Sequence, residues 1–122
     1  MEKEFGSDSI RFLDHGVEKA CIAEAEADGV ITITLSGTLS QEIANPLLDE
    51  MTALIVAGQG LVVDLEKTEY VSASVMEALL RTEKLLEKSN KYLRIINMSQ
   101  EVYEGFKARG LHELLDIEVK KA

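Results

Sequence analysis

The sequence predicts one α/β domain: a mixed, mostly parallel sheet of about five strands with its helices on one face. Two observations carry this. Residues 61–80, LVVDLEKTEYVSASVMEALL, pass from a buried-strand pattern through a short polar turn into an amphipathic helix. In the preceding apolar stretch, Ile31, Ile33 and Leu35 form one face of a strand while Thr32, Thr34 and Ser36 share the other. A parallel sheet covered on both sides would be near-continuous Val, Ile and Leu, so this alternation predicts helices on a single side. At 122 residues the chain has the size of one domain with a two-layer core.

Residues 1–16 are polar and hold only a weak apolar group in Ile10, Phe12 and Leu13; an arm or short extra element is expected there, with the domain proper at 17–122. Cys21, Ala23, Ala25 and Ala27 then alternate with Ile22, Glu24 and Glu26, a strand in which Cys21 is expected as a small buried residue. Asp28-Gly29 supplies the two positive-φ residues of a tight hairpin, and Val30–Ser36 is its second strand. Asn45-Pro46 has the form of an N-cap followed by proline at the first helical position, with Leu47, Leu48, Met51, Leu54 and Ile55 as the buried stripe up to Gly58. After the strand at 61–65, a helix is predicted from about residue 74 to 89, and Asn90 suits its left-handed C-terminus. Tyr92–Met98 is a strand, Ser99 caps a short helix carrying Val102 and Phe106, Gly110 ends it, and Leu114–Val119 is the last strand. Strands linked by helical crossovers run parallel, so the hairpin at Asp28-Gly29 is expected to be the only antiparallel pair, and right-handed crossovers put the parallel strands in sequential order.

Composition narrows the function. With 46% hydrophobic and 29% charged residues this is an ordinary globular mixture. No apolar run approaches the ~18–20 residues of a membrane span, and the N-terminus lacks a signal peptide's apolar core, so a cytoplasmic location is expected. The lone Cys21 excludes an intramolecular disulfide. A net charge of −9 disfavours nucleic acid and anionic membranes and favours a protein partner, one of basic character included.

From Gly29 to Ile117 the chain resembles a STAS domain, the fold of bacterial anti-sigma factor antagonists that is also found in sulfate transporters. The resemblance rests on GVITITLSGTLS at 29–40, LVVDLEKTEYVSAS at 61–74, the amphipathic helix that follows, and YLRIINMSQEVYEGFKARGLHELLDI at 92–117. It implies a protein-interaction module. Antagonists of this family typically carry Asp-Ser-Ser-Gly after the third strand, with the first serine phosphorylated by a partner that is both kinase and anti-sigma factor. Here the aligned residues are Ser72, Ala73, Ser74 and Val75, so the acceptor position is Ala73, which has no hydroxyl. The aspartate that usually follows Gly-x-Leu is Ser40. Phosphorylation would add about −1.5 to −2 charges. Ala73 cannot carry them; Ser72 or Ser74 stays open as an acceptor, and partner binding by the same surface is not affected.

Simpler roles compete with these. Ser74 with Glu77 forms the S-x-x-E pattern of a capping box, so Ser72 or Ser74 can be a helix cap alone. His15 and His112 have no ligand spacing, which argues against a metal. Glu77, Arg81, Glu83, Lys84, Glu87 and Lys88 have the spacing of a solvated helix face. Neither histidine is expected near Ser72 or Ser74, so nucleophilic catalysis lacks its base. Gly58-Gln59-Gly60 precedes a strand instead of following one, a weak phosphate-loop signal. A receiver-type phosphoacceptor would need acidic residues where this chain has Ser40, Ser72 and Ser99.

The expectation is thus a regulatory module resembling an anti-sigma factor antagonist, non-enzymatic and without cofactor. Its partner-binding surface should combine Ser40, Ser72, Ala73, Ser74, Met76, Glu77, Met98 and Ser99 at the C-terminal ends of the parallel strands, with Met76 and Met98 as apolar anchors. Two alternatives are an accessory of a membrane transport complex and a sensor of a nucleotide or other small ligand.

Overall fold

The computed structural model describes residues 1–55 and 60–121. The expected helix end at Gly58 and the Gly58-Gln59 part of the glycine pair lie outside the described residues. Among the described residues, seven strands and three α-helices follow in the order β1 (Glu2–Phe5), β2 (Ser9–Asp14), β3 (Val17–Ala27), β4 (Val30–Leu39), α1 (Ala44–Leu54), β5 (Gly60–Val71), α2 (Ala73–Lys88), β6 (Tyr92–Met98), α3 (Gln100–Ala108) and β7 (Asp116–Val119). The strands form one sheet in sequential order, β1 to β7.

Three neighbouring pairs from β1 to β4 are antiparallel, and three from β4 to β7 are parallel. The sheet is therefore larger and more evenly mixed than the expected five strands with one hairpin. The difference lies in residues 1–16, which are not an arm but the alternative, an extra element: two strands continuing the sheet. His15 and Gly16 both take positive φ, 52° and 78°, and make a second tight turn like the one at Asp28 and Gly29. Ile10 and Phe12 pair with Ile22 and Ala20, and all of these are buried.

The register explains why helices cover one face. Ile22 stands beside Leu35, Ile31 beside Leu61, Ile33 beside Val63, Leu61 beside Leu93 and Val63 beside Ile95, all buried. Arg11, Cys21, Thr32, Thr34, Val62, Asp64 and Arg94 lie on the opposite face, half-buried or exposed. Leu47 and Met51 of α1, Val75, Leu79 and Leu86 of α2, and Val102 and Phe106 of α3 close the core from the covered side. Burying a side chain of this kind stabilises by ~1.5–3 kcal/mol.

Two helix starts differ from expectation. The chain turns helical at Gln41–Ile43 in a 3₁₀ turn, whose first bond runs from Ile43 N–H to Ser40 O, and α1 begins at Ala44. Asn45 is thus not the cap; Pro46 is accommodated inside the first turn, where its missing N–H removes no helical bond. α2 begins at Ala73, so Ser72 is its N-cap and the Ser74–Glu77 capping box does not form at this terminus. Asn90 takes φ 56° after α2, and Ser99 caps α3, as the sequence implies.

Strand β4 carries register slips against β5 between Thr34 and Ser36 and between Gly37 and Thr38. Gly37 has φ 85°, and a Cβ there would lie 2.1 Å from Lys19 O, so only glycine fits. The extra residue lies on β5 each time, between Asp64 and Lys67 and between Thr68 and Tyr70, so β5 is the strand that bulges and bends on its way to Ser72.

Candidate functional site

β5 pairs with β6 only as far as Asp64 opposite Ile96, and then runs on beside β4 to the pair Leu39–Val71. Ser72 N–H donates to Leu39 O at 2.9 Å, which brings Ser40 and Ser72 side by side at the C-terminal ends of their strands. Ser72 Oγ accepts from Val75 N–H at 3.3 Å, and the residue is 8% exposed: its hydroxyl is engaged in capping. Ser40 Oγ is buried with no hydrogen-bond partner among the described residues.

Beyond the cap, Ala73 is exposed, Ser74 half-buried and Glu77 exposed. The first turn of α2 carries no acidic residue, so the partial positive charge of this terminus is unopposed within its own turn. Ala73, Ser74, Glu77 and Leu80 also wall a hollow of about 270 Å³, closed on its far side by Arg109 and Leu111.

The other half of the expected surface is rearranged. Met98 is wholly buried and Met76 is 5% exposed, so Met98 is a core residue and no anchor for a partner. Packing, which helical or strand spacing does not separate from exposure at an element's end, decides this. Ser99 Oγ accepts from Val102 N–H at 3.1 Å and is committed to α3. Ser99 ends a strand that stops short of Ser40 and Ser72, and it is α3 that returns to the end of β5, where Val71, Met76 and Val102 meet.

A cluster absent from the sequence reading lies elsewhere on the molecule. Glu24 and Glu26 share the covered face of β3, because Ile22 and Ala20 set the parity that Cys21 was expected to set. Asp8, Glu24 and Glu50 line one hollow. Desolvation first, then the hydrogen bond with Glu50 and the charges of Glu50 and Asp8, push the Glu24 carboxyl up to about 7. Buried Ile10 and Ile22 in adjacent register were the available signal. Cys21 is half-buried on the uncovered face, and desolvation raises its thiol pKa. Desolvation also raises Glu83, on α2. Among the described residues no group of three or more His, Cys, Asp or Glu side chains is placed to hold a metal, and no helix is long and apolar enough to cross a membrane.

A sequentially ordered sheet, helices on one face and a capped helix springing from β5, the second of the parallel strands, define a mixed α/β fold. The family model described as "Mlab, STAS domain" matches residues 22–116, and the chain belongs to the STAS domain family. Solved structures agree on the fold. The anti-sigma factor antagonist SpoIIAA in its unphosphorylated form is similar with a TM-score of 0.70 at 17% identity, over 79% of this chain and 86% of that one. An anti-sigma factor antagonist from Mycobacterium paratuberculosis gives 0.74 at 19%, over 82% and 86%. A sulfate transporter family protein from Wolinella succinogenes gives 0.68 at 17%, over 79% and 81%. No curated protein sequence matches the chain.

Proposed function

We propose that this STAS domain is a non-catalytic regulatory module that binds a protein partner through the ends of β4 and β5 and the start of α2, in the manner of an anti-sigma factor antagonist but without phosphorylation at the usual position. The observation that carries the proposal is Ala73: it is exposed at the first position of a 16-residue helix, where a hydroxyl would stand in the family pattern. The contact surface is Ser40, Ala73, Ser74 and Glu77, supported from beneath by Ser72 and Met76, with Ser99 outside it. Few carboxylates at such a surface favour burial against protein, because an unpaired buried charge destabilises by several kcal/mol.

The likeness to a sulfate transporter family protein favours a second reading, an accessory of a membrane transport complex. Co-purification from the native host separates the two by the identity of what is captured. Incubation with the captured kinase-type partner and ATP, followed by intact-mass measurement, should show no added phosphate. A stoichiometric adduct on Ser74 would mean that the acceptor has moved by one residue, and the unphosphorylated reading would fall.

A further inference from the structure

A hollow of about 210 Å³ opens where the end of β5 faces α2 and α3. Its floor is apolar: Val71, Met76 and Val102 are buried there. Gly105 brings bare helix backbone up to this floor, and a Cβ at that position would stand 3.2 Å from Met76 Cε. Glycine inside a helix is less stable than alanine, and here it keeps the hollow open. The rim has another chemistry. Tyr70 is 55% exposed, while Glu69 on β5 and Glu101 on α3 are exposed and have no ion-pair partner among the described residues.

An apolar floor, an exposed aromatic ring and two carboxylates from different elements together match a long side chain with a cationic end. The ring face attracts a guanidinium, the carboxylates accept its charge-assisted hydrogen bonds, and the floor takes the methylene stem. Lysine's compact, strongly hydrated ammonium stacks less well on an aromatic ring and is costlier to desolvate than the planar guanidinium. The net charge of −9 adds long-range attraction for a basic partner surface.

We infer that this hollow receives an arginine side chain of the partner protein, a subsite beside the α2 start that rests on the protein-binding reading above and extends it to Glu69, Tyr70, Glu101 and Gly105. The test needs no identified partner. N-acetyl-arginine amide is titrated into isotope-labelled protein and followed by amide chemical shifts, with N-acetyl-citrulline amide as the uncharged isostere. Saturable shifts are expected at Glu69–Val71, Glu101, Val102 and Gly105, at least about tenfold weaker with citrulline or with the Glu69→Gln/Glu101→Gln double variant. Both substitutions are at exposed positions and leave the core untouched. Shifts confined to other residues, or equal affinity for both compounds, would overturn the inference. A co-purified partner that binds wild type and double variant alike would also overturn it while leaving the protein-binding reading intact; that reading is decided by Ala73→Asp, outside the hollow.

Discussion

Thr68 Oγ1 donates a hydrogen bond of 2.7 Å to the carbonyl oxygen of Leu35, 33 residues away in the chain and wholly within the interior. The bond falls where the β4–β5 register slips between Thr34 and Ser36. A slip leaves a strand carbonyl without its ladder partner, and a side-chain hydroxyl supplies it. Thr68→Val keeps the shape and removes the donor. Chemical denaturation should show a loss of ~1–3 kcal/mol for the unpaired buried carbonyl; an unchanged midpoint would show that the ladder re-pairs without it.

The first two strands should be structural. Phe12 is 1% exposed and Ile10 8%, both in the core continued by Ile22. Phe12→Ala should destabilise by ~3–5 kcal/mol, and deletion of residues 1–16 should lower Tm markedly. An unchanged Tm after the deletion would contradict the placement of these strands.

Two serines that neighbour each other should respond in opposite ways. Ser72→Ala removes the N-cap of α2 and should lower stability by ~0.5–2 kcal/mol. Ser40→Ala removes a buried hydroxyl without a partner and should be neutral or stabilising. Equal losses at both sites would mean that Ser40 Oγ is hydrogen-bonded in solution.

Glu24 makes stability depend on pH. Its carboxyl is raised from 4.5 to about 7, so between these values the folded state binds more protons than the unfolded one. Stability must then fall as pH rises through that window and level off above it. The groups facing Glu24 are Asp8 from the β1–β2 turn and Glu50 from α1, all of one sign. Glu24→Gln should flatten the profile and raise Tm at pH 8 relative to wild type. A wild-type Tm that rises from pH 5 to 7, with the variant parallel to it, would contradict the assignment.

Ala73→Asp should separate fold from function. A carboxylate at the start of α2 is favoured by the helix dipole by ~0.3–1 kcal/mol, so Tm should hold or rise. Affinity for the co-purified partner should drop, because the partner meets an unpaired charge. Unchanged affinity would move the interface to the uncovered sheet face.

Most of the α/β half was legible because period and punctuation agree there. Leu61, Val63 and Leu65, the cap at Ser99 and the turn at Asn90 each state one structure. The N-terminal strands were illegible for a physical reason: with two buried residues in six, β2 draws its stability from Ile22 and Ala20 next to it and little from its own pattern. His15-Gly16 was the missed punctuation, since histidine is enriched at positive φ. At the site, the adjacency of Ser40 and Ser72 followed from parallel pairing. The burial of Met98 did not, because it depends on how α3 packs back, a tertiary contact that no local spacing encodes.

Because position in the sheet repeats position in the chain, no strand has to be inserted between two already paired. Each closes only the loop to its predecessor. The β2–β3 and β3–β4 pairs close through two-residue turns, whereas β5, β6 and β7 must wait for a helical connection, and loop-closure entropy grows with that length. Assembly is therefore expected to start among β2, β3 and β4 and travel toward β7, the rate-limiting ensemble being native-like at Ile22 and Leu35 and unformed at Ile117. Mutational φ-values near one at Ile117 and near zero at Ile22 would reverse that direction.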